Sequence, residues 1–450
     1  MDLHVHDPAD LDAVRRAALP LSGGASELDA LISMIGEAEV VMIGEATHGT
    51  HEFYRMRSDI TRRLVVEKRF SAVAIEGDWP DAYRADAYVR NRREEPDAAA
   101  ALAGFRRFPN WMWRNTDVAD FLAWLRRYNL RVPEERRAGF YGLDLYSLSS
   151  SMAAVLAYFD RHDPHAAARA RERYACFDRF GEDSQVYGLM VGHGAARSCE
   201  AEVLAMLVET RRKTLAAARR SDEAGAAEAA FDAAQNALLV KNAEAYYRSM
   251  FTGGESSWNL RDGHMAQTLW SLRDHLARNG PAKVVVWAHN SHVGDARATE
   301  MGGTRGQLTL GQLARQRLGR AVVLIGFSTY QGTVVAASSW DAPGVLQPLR
   351  SARDDSIERL MHDTALARFV LPLRDTTPAL ARALTRDRLT RAVGVIYRPD
   401  AERESHYFHA NVLGQFDALL HIDVTRGVLP LDAAASSTGS QTPETYPSGT

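Results

Sequence analysis

The sequence predicts an α/β protein: a mostly parallel, open β-sheet flanked by helices, with a helical subdomain inserted between its halves. Three observations predict it. Short apolar runs recur and each closes on a polar residue, as strands covered on both faces do; they are Val40–Glu45, Ala72–Glu76 and Val284–His289. Between the first two, Met56, Ile60 and Leu64 recur every four residues, the spacing of a buried helical stripe. From about 150 to 278 strand signals vanish, and Ala, Arg and Glu dominate.

Taken in order, a strand at 39–44 leads through a loop to a helix at 51–68. A second strand at 71–76 then completes a β-α-β unit, which implies a parallel pair and a right-handed crossover. Helices are predicted near 81–92 and 117–130, and a third strand over Gly139–Asp144 again ends in a carboxylate. In the helical stretch, Leu204, Leu207, Val208, Arg211 and Leu215 sit at helical spacing, as do Leu238, Leu239, Asn242 and Tyr246. Residues 221–225 (Ser-Asp-Glu-Ala-Gly) read as the break between two antiparallel helices. Strand patterns resume at 283–288, 321–327, 333–337, 392–397 and 417–423. The tail from Ala433 is small, polar and aperiodic, a composition that stays disordered. The expected organisation is an α/β catalytic core of residues 1–149 and 279–432, a helical insertion at 150–278 and a disordered tail at 433–450.

The bulk composition excludes several classes. With 46% hydrophobic and 25% charged residues in 450, the chain can bury a sizeable core. A net charge of -3 gives no electrostatic reason to expect nucleic acid or acidic lipid. No apolar run approaches the roughly 20 residues that span a bilayer, and the N-terminus shows neither a basic start nor an apolar stretch. A cytoplasmic location is expected. Cys176 and Cys199 fit no metal-ligand or redox spacing, and reduced thiols in helices are expected. Phosphate-loop, dinucleotide and G-x-S-x-G nucleophile signatures are absent. His51-Glu52 is not half of a zinc helix, because position 55 is Arg.

What remains is a group of ionisable residues at strand ends. Ligands of open α/β sheets bind beyond the carboxyl ends of the strands, which places Glu45, Glu76 and His289 at one crevice. The densest run is Gly44-Glu45-Ala46-Thr47-His48-Gly49. Glu45 and His48 lie three apart across a turn, near enough for a carboxylate to orient an imidazole. The helix behind them turns its positive end toward the same crevice. Arg55 and Arg57 point nearly opposite ways on it, so at most one can reach the site. Singly, each such residue is an ordinary cap, ion pair or core histidine. Together they carry a desolvation cost that a function explains.

Gly44-Glu45-x-x-His48 with Arg57, then Glu76-Gly77, Tyr141-Gly142-Leu143-Asp144, Trp287-Ala288-His289-Asn290-Ser291-His292 and Ser405-His406-Tyr407-Phe408 resemble the erythromycin esterase family. The likeness runs from roughly residue 7 to 430. It leans toward a broader branch, some members of which carry a succinoglycan-biosynthesis label, so macrolide hydrolysis is one candidate activity among others. The resemblance implies hydrolysis of a small-molecule carboxylic ester or lactone by activated water and does not require a metal, beside which Arg57 would sit unfavourably; no cofactor is expected. It makes His48 the general base, Glu45 or Glu76 the group that holds its tautomer, and Arg57 the stabiliser of the oxyanion. His289 would donate to the carbonyl oxygen or protonate the leaving alkoxide. His292 and Asp144 follow as substrate-binding candidates, and Arg261 ranks last, a helix-surface ion pair being the simpler account of it. Rival readings are a metal hydrolase built on the same histidines and carboxylates, an acyl-group transferase in polysaccharide or secondary-metabolite assembly, and a small-molecule binding protein. Trp79, Trp111, Trp113, Tyr187 and Trp258 either line a pocket or belong to the core.

Overall fold

The structure is a computed structural model that describes residues 6–432, apart from 25, 182, 219–223, 252–253, 279, 281 and 387. Thirteen strands are present among them: β1 (Leu19–Pro20), β2 (Val40–Ile43), β3 (Ala72–Asp78), β4 (Gly139–Asp144), β5 (Val284–Trp287), β6 (Val322–Ser328), β7 (Gln331–Ala336), β8 (Val345–Leu349), β9 (Arg368–Pro372), β10 (Arg388–Arg391), β11 (Tyr407–Ala410), β12 (Ala418–Ile422) and β13 (Val424–Thr425). Eight form one sheet in the order β1-β9-β12-β6-β2-β5-β3-β4. The six strands from β12 to β4 are all parallel, and β9 and β1 close one side antiparallel. The sheet is therefore mostly parallel, as expected.

Alternation along the strands explains why the sheet is covered on both faces. Val40, Met42, Ala72, Ala74, Val284 and Val286 face one apolar layer, whereas Val41, Ile43, Val73, Ile75, Val285 and Trp287 face the other. The second layer is built from the helix His51–Lys68, through Phe53, Met56, Ile60 and Leu64, and from the helix Thr116–Asn129, through Val118, Phe121 and Leu125. The first layer takes the helices that lie between β4 and β5, where the described residues hold no strand. Burial of each such Leu, Ile or Phe contributes about 1.5–3 kcal/mol. We propose that this helical stretch is one insertion, because β4 ends at a sheet edge and β5 resumes in the middle. No helix among the described residues is long and apolar enough to cross a membrane.

Several expectations are corrected. β2 and β3 are parallel but not neighbours: β5 lies between them, with Trp287 in register with both Ile43 and Ile75. Residues 392–397 are not a strand. The regular pairing is β10 with β11, and the following residues cross the carboxyl ends of the sheet, making only isolated bridges through Val393 and Ile396. On the helix Glu200–Ala218 the buried positions are Val203, Met206, Leu207, Glu209, Thr210 and Thr214, while Leu204, Val208 and Leu215 are exposed. The break at 221–225 falls largely outside the described residues, and the tail 433–450 wholly so. Cys176 and Cys199 are not free thiols but a disulfide, with Cα atoms 5.9 Å apart. Helix packing closes that gap, since Cys199 is fully buried just ahead of Glu200 and Cys176 sits in the short helical run Ala175–Phe180.

Candidate active site

The carboxyl end of β2 is shaped by two glycines. A Cβ on Gly44 would collide with Asn290 Oδ1, and Gly49 adopts φ +68° with Val335 packed against it. Asn290 ties three strand ends together: its backbone N–H donates to Glu45 O (2.9 Å), its Nδ2 to Phe327 O (2.8 Å), and its Oδ1 accepts from Phe327 N (3.2 Å). The crossing segment fixes the loop from outside, with His48 N–H donating to Val393 O (3.0 Å) and Val393 N–H to Ala46 O (2.9 Å).

This frame positions a buried chain of three side chains. His48 Nδ1 lies 2.8 Å from Glu45 Oε1, and Arg57 Nη2 donates to Glu45 Oε2 at 2.9 Å. A carboxylate on Nδ1 keeps the proton there and leaves Nε2 as the acceptor. Arg57 is 0% exposed and sits 4.3 Å from the Tyr54 ring centre and 5.4 Å from that of Trp287. Its guanidinium therefore lies behind Glu45, which is not where an oxyanion would form. Arg55 points away and pairs with Asp59. His51 and Glu52 are engaged elsewhere, by Asp117 and Arg426.

A second buried cluster is centred on Glu76. Its Oε2 accepts the His289 backbone N–H (2.7 Å), and its Oε1 accepts from Arg261 Nη2 (2.7 Å) and lies 3.3 Å from His292 Nε2. Arg261 also donates twice to Asp144, from Nε (3.0 Å) and Nη2 (2.7 Å), and its Nη1 is 3.1 Å from His292 Nε2. It is only 5% exposed, so the surface ion pair expected of it is corrected: the helix Gly254–Leu276 turns this side chain into the crevice. His292 Nδ1 is 2.8 Å from Asp262 Oδ2, and Trp258 stacks on the ring at 4.6 Å. Burial disfavours the Glu76 carboxylate, yet His292 and Arg261 outweigh it and hold its pKa well below the usual range. Burial likewise opposes the His292 imidazolium, but Asp262 and Glu76 push its pKa up to about 9.

His289 stands between the two clusters, its ring centroid 4.7 Å from that of His48. Its Nδ1 accepts from the Ser291 backbone N–H (3.3 Å) and lies 2.8 Å from Ser291 Oγ. In the neutral ring the proton is thus on Nε2, which is buried without a hydrogen bond and has the Ala46 carbonyl nearby. Burial, with His48 adding to it, drives the His289 pKa well below the ordinary value, so the ring is neutral near pH 7. His48 lines a cavity of about 70 Å³ with Glu76, Asp144, Tyr146 and Arg261; His289 lines one of about 140 Å³ with Trp258 and His406.

The structure thus brings Glu45, His48, Glu76, Asp144, Arg261, His289 and His292 together and leaves Arg57 underneath. Sequence reasoning passed over Asp262, although it follows Arg261 directly, and over Asp78 and Asp81, which line the 70 Å³ cavity with Arg107. Burial, then Asp78, pushes Asp81 up to about 7. Of the aromatics, Trp258 covers His292, Trp113 Nε1 donates to Glu76 O (3.1 Å), and Trp79 and Tyr187 are core. Among the described residues no three His, Cys, Asp or Glu side chains converge as metal ligands would.

Fold and site together define an α/β sheet protein with two histidine–carboxylate clusters at the carboxyl ends of its parallel strands. The sequence model of the erythromycin esterase family matches residues 65–425, and the chain belongs to that family. It is 21% identical over 320 residues to an erythromycin esterase type II of Escherichia coli, covering 68% of this chain and 72% of that one. Among solved structures it is similar to a succinoglycan biosynthesis protein (TM-score 0.74, 21% identity, 94% and 98% of the two chains). A Bacillus cereus protein is alike to the same degree (0.74, 20%, 94% and 98%). A histidine-to-asparagine mutant of erythromycin esterase EreC in its open conformation aligns at 0.62 (18%, 92% and 97%). Family membership supports a hydrolase of the esterase type.

Proposed function

We propose that the protein hydrolyses a carboxylic ester or lactone by general-base activation of water, without a covalent intermediate. The observation that carries this reading is the pair of contrasting ring environments, a carboxylate against His48 Nδ1 and a backbone N–H against His289 Nδ1. His48, with its proton held on Nδ1 by Glu45, offers a bare Nε2 to a water. His289, with its proton on Nε2, offers a neutral donor to the carbonyl oxygen and to the oxyanion that grows from it. Their ring centroids lie 4.7 Å apart, which sets the acceptor and the donor side by side at the carboxyl end of the sheet. The water loses a proton to His48 as its oxygen bonds to the carbonyl carbon. The tetrahedral intermediate then collapses, and the alkoxide departs with the proton that His48 returns.

Arg57 supports the Glu45 carboxylate from behind, and the oxyanion role first given to it passes to His289. Glu76 fixes the His289 backbone and, with His292, Asp144 and Arg261, forms the charged floor of the crevice. A metal-dependent route would need the Glu76 and Asp144 carboxylates, which are already engaged by the Arg261 guanidinium. Erythromycin and related macrolides are candidate substrates by family, and an acceptor hydroxyl in place of water would make the same site an acyl transferase.

The test is a mass-spectrometric screen of macrolides and acyl esters against the protein and its His48→Ala variant, with and without chelator. The expected result is a water-addition product from the unsubstituted protein, reduced ~10²–10⁴-fold in His48→Ala and indifferent to chelator. Turnover that survives His48→Ala refutes the assignment of the base, and loss of turnover on chelation refutes the metal-free route.

A further inference from the structure

We infer that His406 is a positioning residue for the general base: it grips both ends of the crossing segment 392–398, and that segment holds the loop that carries His48. The inference rests on the hydrolase reading above and gives a task to the Ser405-His406-Tyr407-Phe408 run, which the mechanism leaves unused. Val393 is where segment and loop meet. Its carbonyl accepts the His48 N–H (3.0 Å), its N–H donates to Ala46 O (2.9 Å), and it forms a parallel bridge with Thr47. Val395, two residues on, lines the same cavity as His48.

The segment is held at both ends from one short helix, Glu402–His406. Glu402 and His406 are four residues apart and so share a face of it. At the start of the segment, Ala392 N–H donates to the His406 carbonyl (2.8 Å) and Arg391 Nη1 to Glu402 Oε1 (3.3 Å). At its end, Arg398 N–H donates to His406 Nε2 (2.9 Å) and the Tyr397 hydroxyl to Glu402 Oε1 (3.1 Å). In the middle, Tyr397 N–H and Val395 O both bond the backbone of Ala337 (3.0 and 2.9 Å). Of all these bonds, those of Val393 reach the His48 loop.

The ring does this only as an acceptor. His406 is buried, and its burial, with the charges of Arg391 and Arg398 adding to it, pushes its pKa down to about 4, so the ring is neutral near pH 7. With the Arg398 N–H on Nε2, the proton of the neutral ring is on Nδ1, which is buried without a hydrogen bond and has the Ala392 carbonyl nearby. The Tyr397 ring packs beside the imidazole, 5.3 Å away centre to centre. A side chain of similar shape without an acceptor would leave the Arg398 N–H unpaired and loosen the far end of the segment. A general base tolerates little of this, since a displacement of about 1 Å can cost roughly 10²-fold in rate.

The experiment compares His406→Phe, which keeps a ring and deletes the acceptor, with His406→Gln, whose amide oxygen can stand in for Nε2. Hydrolysis of p-nitrophenyl acetate is measured with His48→Ala as the blank, and backbone amide exchange is followed by NMR. In His406→Phe, kcat should fall roughly ten- to a hundredfold with KM within about threefold of its starting value, and His406→Gln should recover most of the loss. The His48 and Val393 amides should exchange roughly three- to tenfold faster in His406→Phe, while that of Val285 in β5 keeps its rate. The unsubstituted protein supplies a reading that needs no variant: at pH 7 the imidazole nitrogen shifts should show His406 protonated on Nδ1 alone. Protonation on Nε2 overturns the inference, as do unchanged kcat and exchange in His406→Phe or an equal loss in His406→Gln. Acceleration that Val285 shares also overturns it, because it marks a role in global stability only. If the local exchange pattern appears but no ester is hydrolysed in a His48-dependent way, the grip on the loop stands and the hydrolase reading fails separately.

Discussion

Replacing Arg261 with methionine should remove about 3–5 kcal/mol of folding stability at pH 8. Arg261 is buried, and its guanidinium donates three hydrogen bonds to carboxylates that are themselves buried, Asp144 and Glu76. At roughly 1.5–3 kcal/mol for each charged hydrogen bond, their simple sum exceeds the expected loss. Glu76 keeps the His289 backbone N–H and His292, and Asp144 keeps the Leu145 N–H, so part of the deficit is offset. The pH dependence follows from Glu76. Its folded pKa is depressed below the unfolded value of 4.5, so it contributes stability above that value that is lost as pH falls. Without Arg261 burial pushes this pKa upward, and the variant's deficit should shrink between pH 8 and about pH 5. Urea unfolding followed by tryptophan fluorescence at the two pH values measures both effects. A deficit under about 1 kcal/mol, or an equal one at both pH values, would refute the picture of Arg261 as the shared counter-ion of two buried carboxylates.

Other outcomes are expected from the same geometry. Asp262→Asn removes a charge that raises His292, so the ring's pKa should fall from about 9. Because His292 is raised above its unfolded value of 6.5, its contribution is complete below 6.5 and is lost as pH rises through about 9; in the variant that loss should begin at lower pH. An unchanged imidazole titration by NMR would contradict this. Cys176→Ser with Cys199→Ser opens a link across 23 residues, which should lower stability by about 3 kcal/mol. Denatured but unreduced native protein should show no thiol to a colorimetric reagent, and one or two equivalents would count against the disulfide.

The strand ends were legible because period-two burial is local: Val40 to Ile43 and Val284 to Trp287 announce themselves without knowledge of their partners. That locality also brought Glu45, His48, Glu76 and His289 to one crevice in advance. Arg261 was misjudged because an Arg-Asp pair inside a helix looks like a solvated face. Only the helix's orientation against β4 shows that both residues turn inward. The disulfide left no trace, since helix packing and not a spacing rule brings Cys176 to Cys199. Residues 392–397 have the β-branched character of a strand, and Val393 and Ile396 do make bridge contacts. They spend it on crossing the strand ends and holding the His48 loop, a tertiary task that local pattern cannot distinguish from sheet membership. The position of β5 was also out of reach, because strand order is a property of the closed sheet.

That position of β5 bears on how the chain acquires its structure as it is made. The two neighbours of β2 are β5 and β6, both far downstream, so the first strand of the parallel core emerges from the ribosome with nothing to pair with. β3 and β4 can join early, but the slot beside β3 stays open until the intervening helices have been synthesised. Insertion of β5 then covers the exposed edges of both β2 and β3 in one event, and the same event carries His289 between His48 and Glu76. Ribosome-bound chains halted before β5 should therefore bind chaperones through the unpaired edges of β2 and β3 and lack His289 of the site. Closure of the gap between β2 and β3 and assembly of the crevice are one late step of biogenesis.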